Sequence, residues 1–98
     1  MTPHPCHAQP EFQGWLEKQG YSHVRQLPSG EWIGVSPFLY TAGLCIGLDE
    51  TGYRVRFCYA NSRAAEDAAD LYDGVGDPPG LWIKEKGGSE RLGPGAFQ

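Results

Sequence analysis

The chain has 98 residues, 40% of them apolar and 20% charged, with a formal net charge of −4. That balance excludes a disordered polar tail and argues against bulk nucleic-acid coating, which goes with a basic excess. No apolar run approaches the roughly 18 residues a spanning helix needs, so no membrane partner is expected.

Residues 1–10, MTPHPCHAQP, hold three prolines and two histidines and read as a flexible leader. They lack the basic start and apolar stretch of a secretory signal. The three cysteines are an odd count and read as reduced thiols in a cytosol-like compartment. From Glu11, the run EFQGWLEKQ places Phe12, Trp15 and Leu16 at i, i+3 and i+4, the spacing of a short helix that Gly20 stops.

Next come two hairpins. Tyr21–Leu27 and Glu31–Ser36 flank the turn PSG, where Gly30 can take a positive φ. In LYTAGLCIGLDETGYRVRFCYA, the residues Tyr40, Ala42, Leu44, Ile46 and Leu48 share one face, as do Tyr53, Val55, Phe57 and Tyr59. Pairing Leu48 with Tyr53 sets Ile46 opposite Val55, Leu44 opposite Phe57 and Ala42 opposite Tyr59. A slip of one residue breaks every apolar pair, so the register is strongly specified.

Asn61 or Ser62 then caps a helix, SRAAEDAADLYDG. Ala64, Ala65, Ala68, Ala69, Leu71 and Tyr72 lie on one arc, and Glu66, Asp67, Asp70 and Asp73 lie opposite. Pro78 and Pro79 stiffen the exit from the helix. LWIKEK is expected to dock along a sheet edge or across the end of the core, with Leu81 and Ile83 pointing one way and Trp82 and Lys84 the other. The predicted fold is α+β: an antiparallel sheet of about four strands, in two hairpins, packed by one main helix, with a short N-terminal helical turn. It spans 11–86 as a single domain, and 87–98 reads as a flexible tail.

The chemistry-bearing residues form three sets. His4, Cys6, His7, His23, Cys45 and Cys58 are zinc-type donors, but no CxxC or HxxxH spacing gathers them, and strand thiols commonly pack as small apolar groups. Cys58 and His23 could serve as thiol and base, yet no glycine-flanked nucleophile turn accompanies them. No catalytic residue, metal or cofactor is therefore expected. Arg54 and Arg56 share a side of the second hairpin, and with Arg25 and His23 they could form one polar face. Arginine's planar fork suits carboxylate and phosphate. Trp15, Trp32 and Trp82 sit in or near loops and ends, and Trp with Arg is the composition of interface hot spots. Arg25, Arg54, Arg56, Trp32 and Trp82 are thus the candidate partner-binding residues. The ordinary alternative is a solvated sheet face, with tryptophans closing the ends of a small core.

The stretch from Trp32 to Gly93 carries VSPFLYTAGLCIGLD, GYRVRFCYA, an alanine-rich helix ending in YDG, and GDPPGLWIKEKGG. It resembles small proteins encoded by bacteriophages and bacterial mobile elements, a group without an established activity. The resemblance implies a bacterial cytoplasmic setting. The sequence thus points to a small non-enzymatic interaction protein that binds a host macromolecule. An inhibitor or adaptor of a defence or nucleic-acid-handling protein is one form of it. A second copy of the chain is a further candidate partner. The alternatives are direct nucleic-acid binding through the arginine face and a small metal-binding or catalytic domain.

Overall fold

The computed structural model describes residues 11–97. Its elements run α1 (Glu11–Lys18), β1 (Ser22–Gln26), β2 (Trp32–Pro37), β3 (Ala42–Ile46), β4 (Val55–Tyr59), α2 (Ser62–Leu71), β5 (Lys84–Lys86) and a 3-10 turn (Pro94–Phe97). The strands form one five-stranded antiparallel sheet in sequence order. The protein is α+β, with α2 as the main packing helix.

The second hairpin has the register that its apolar pattern specifies: Ala42↔Tyr59, Leu44↔Phe57 and Ile46↔Val55. These residues meet Ile33, Val35, Leu27 and the α2 residues Ala65, Ala68, Ala69 and Tyr72 in the main core. Alanines suit this helix because short side chains bring its axis close to the sheet. The Asn61 side chain accepts a hydrogen bond from the Ala64 N–H at 2.8 Å, which satisfies one orphan donor of the first turn.

The face pattern breaks at Gly47. Its φ of +75° turns the chain, so Leu48 leaves the face of Ile46 and joins Phe12, Leu16, Val24, Trp32 and Cys45 in a second cluster. The sheet therefore has apolar cover on both sides, α2 on one and α1 on part of the other. Tyr40, expected on the main core face, lies instead in the turn between β2 and β3, where Phe38 N–H bonds Thr41 C=O at 2.8 Å.

The region after α2 departs furthest from expectation. Lys84–Lys86 adds a fifth strand by pairing with β4. LWIKEK does dock, with Trp82 4% exposed and Leu81 53% exposed, but Trp82 packs in the main core while Lys84 lies opposite Cys58 on the other face, so the expected sharing of one side by Trp82 and Lys84 does not hold. Trp82 meets Phe57 edge-on, with ring centroids 4.9 Å apart. The stretch expected as a tail also takes part: Glu85 N–H bonds Arg91 C=O, Gly93 N–H bonds Ile83 C=O and Gly95 N–H bonds Trp82 C=O. Arg91 joins Glu85 (2.7 Å) to Asp77 (2.7 Å). Glycine is needed at 93, since a Cβ there would fall within 2.3 Å of the Trp82 ring.

Candidate interaction surface

Among the described residues, the side of the sheet opposite α2 is covered only in part, by α1. Strand register places Ser36, Gly43, Arg56, Cys58, Lys84 and Lys86 on its uncovered part. Gly43 is central, because a Cβ there would meet Arg56 Cδ at 2.8 Å and Phe38 Cε2 at 2.9 Å. Its lack of a side chain lets the Arg56 stem and the Phe38 ring lie flat on the sheet. The Arg56 guanidinium is held between two rings, 4.7 Å from the Phe38 centroid and 5.4 Å from that of Tyr53. Arg56 Nε is buried without a hydrogen-bond partner. Just beyond, at the hairpin tip, Leu39 and Tyr40 are each 85% exposed, and Phe38 and Tyr53 are 40% and 38% exposed.

The covered end of the same face is dry. Burial pushes the Cys45 thiol up to about 12 and raises Tyr21 as well, so neither supplies charge or a reactive thiolate at neutral pH. Cys45 and Cys58 are free thiols. Cys58 lies on this side while His23 bonds to Asp70 of α2 on the other, so the thiol and base are not brought together. Among the described residues no group of three or more His, Cys, Asp and Glu side chains could hold a metal ion. His4, Cys6 and His7 lie outside the described residues.

The single arginine face expected from the sequence is not formed. A register shift between Ser22 and Arg25, with His23 at a φ of +52°, turns His23 and Arg25 toward α2. Arg25 Nη1 donates to the Ala69 and Tyr72 carbonyls at 2.9 and 2.6 Å, so Arg25 caps the C-terminal end of α2. Arg54 makes a two-pronged contact with Glu31, at 2.8 and 3.0 Å. Trp32 is buried against Phe12 in the second cluster, and Trp82 belongs to the core. Of the expected binding residues, Arg56 alone lies on the uncovered face. The residues that sequence reasoning missed there are Phe38, Leu39 and Tyr40. Their signal was an unbroken apolar run across a turn.

One cavity competes for attention. It is about 340 Å³, open to solvent, and lined by Arg54, Tyr72, Asp77, Glu85 and Arg91 among others. Its charges already satisfy one another: Arg54 is paired with Glu31, and the Arg91 guanidinium holds the Asp77 carboxyl below its usual range. It is a structural network. Among the described residues, no helix is long and apolar enough to cross a membrane.

The His23 contact on the α2 side carries a pH signature. The hydrogen bond to Asp70 at 2.9 Å raises the His23 pKa, with Glu66 and Asp67 adding to it. A raised folded pKa means the contribution is full below the unfolded value of about 6.5 and is lost as pH rises through the folded one. His23 and Asp70 are both well exposed, so the effect is small. Thermal midpoints should fall slightly between acidic and mildly alkaline buffer, and His23→Gln should flatten that slope.

No protein-family model, curated protein or solved structure matches this chain.

Proposed function

We propose that this is a non-enzymatic interaction module that docks a protein partner with the Phe38–Leu39–Tyr40 hairpin tip and the adjoining Arg56 face. The observation that carries the reading is the exposure of Leu39 and Tyr40 at 85% each, next to the Phe38, Tyr53 and Arg56 side chains that pack on one another. Leaving a large aliphatic and a large aromatic side chain in water has no folding benefit. Both become useful when a partner covers them.

The mode is a face or tip contact, not strand addition. Residues Arg91 and Leu92 cover the β5 edge, and the bulge in β1 interrupts the opposite one. The resemblance to phage and mobile-element proteins makes a host protein of the bacterial cytoplasm the natural partner, held as by an inhibitor or adaptor.

The test is a paired substitution, Leu39→Ser with Tyr40→Ser. Both side chains are solvated, so stability should change by only about 0.5 kcal/mol. Affinity capture from bacterial lysate should lose its specific partner with the variant and keep it with the parent. Equal capture by both proteins would end the tip reading.

A further inference from the structure

We infer that the Arg56 clamp recognises a carboxylate, so that the partner segment docking beside the tip is acidic. The inference rests on the tip-docking reading and adds the partner's chemistry. Three observations converge on it. First, Arg56 forms no ion pair or hydrogen bond among the described residues, in contrast to Arg25, Arg54, Arg63 and Arg91, and its Nε is buried and unpartnered. Nε is shut off from solvent, so a docking carboxylate meets the two terminal nitrogens, which have no acceptor among the described residues. Second, the Phe38 and Tyr53 rings lie against the guanidinium, their centroids 4.7 and 5.4 Å from its carbon, and restrict its movement. A pre-oriented fork loses little freedom when it takes a planar two-oxygen acceptor. Third, the charges around it have one sign. Register places Lys84 and Lys86 on the same side, and the described strand residues of that side carry no carboxylate. The acids Glu66, Asp67 and Asp70 ride on α2, across the sheet.

These features favour an acidic protein segment over a nucleic acid. The two rings nearest the cation are already occupied by it, so they are not free for bases to stack on. Leu39 offers an apolar contact that suits a leucine-type side chain. An apolar residue flanked by carboxylates would satisfy both the tip and the clamp.

The experiment is an NMR titration of the full chain that follows the Arg56 Nε–H and the Leu39 and Tyr40 amides. The probes are a glutamate–leucine peptide, the matching glutamine–leucine peptide and an oligothymidine strand. The expected result is a saturable shift of Arg56 Nε–H with the glutamate peptide, weakened by added salt and about tenfold weaker with the glutamine peptide. Arg56→Lys keeps the charge but not the fork and should also weaken binding about tenfold, with the thermal midpoint retained. The titration needs no substitution, so an unfolded variant does not remove the test. Equal shifts with both peptides, or silence of Arg56 with both, overturn the carboxylate assignment. Tighter binding of oligothymidine than of the glutamate peptide overturns it in favour of a nucleic-acid face. If the glutamate peptide shifts Leu39 and Tyr40 alone, the tip reading stands and the clamp fails. If the glutamate peptide shifts Arg56 alone, the clamp stands and the tip reading fails.

Discussion

Replacing Trp82 by alanine should cost about 3–5 kcal/mol, the range for removing a buried large aromatic side chain. A domain of this size has about 5–15 kcal/mol in total, so the variant should be close to unfolding at physiological temperature. The loss has three sources. The edge-on contact with Phe57 disappears, a void opens at the end of the main core, and Gly93 loses the ring it lies against. Arg91, whose guanidinium lies 5.4 Å from the Trp82 ring centroid, loses its platform as well. Truncations extend the test. Ending the chain after Pro79 removes Trp82 and β5 together. Ending it after Gly88 removes Arg91, which binds Glu85 and Asp77, and the Gly93 and Gly95 hydrogen bonds. Both should lower the thermal midpoint, the first more than the second. A Trp82→Ala protein that melts with the parent would show that this ring is not part of the core.

Leu16→Ala should cost about 2–5 kcal/mol, the range for emptying a fully buried leucine site. Leu16 is completely buried, and it holds α1 against Val24, Trp32, Cys45 and Leu48. Eight residues do not make a stable helix alone, so the packing of Phe12 and Leu16 is what keeps α1 formed. Denaturant midpoints of the parent and variant measure the effect. A neutral result would mean that α1 does not cover the second face and that Trp32 is open to solvent.

Most of the architecture was legible because the apolar pattern had only one self-consistent pairing. Ile46, Leu44 and Ala42 could meet Val55, Phe57 and Tyr59 in one register alone, and α2 announced itself with alanines on one arc and acids on the other. The side taken by individual residues was harder to read. Alternation carries Leu48 onto the face of Ile46 only if Gly47 continues the strand, and a glycine need not. Arg25 and Arg56 were separated by a bulge at His23, whose positive φ is uncommon outside glycine even though Asn, Asp and His adopt it more often than other residues, and composition does not reveal it. The order Leu81-Trp82-Ile83 allowed either side to face inward, and it is Trp82 that meets Phe57 in the core. Of the interaction surface, Arg56 was legible from its position opposite the apolar pairs. The tip was not, because Leu39 and Tyr40 extend an apolar run in sequence while lying outside every core.

The meander connectivity sets the order in which the molecule can assemble. Strands β1 to β4 pair with their neighbours through short turns, so their closure is fast and needs little chain to be gathered. The fifth strand must wait for α2 and the proline-rich stretch, so the β4 edge stays uncovered during that interval. Until Lys84–Lys86 arrives, the charge of Arg56 on β4 discourages edge-to-edge association between nascent chains. The same arginine that marks the mature face also acts as a gatekeeper against aggregation while the protein is still being made.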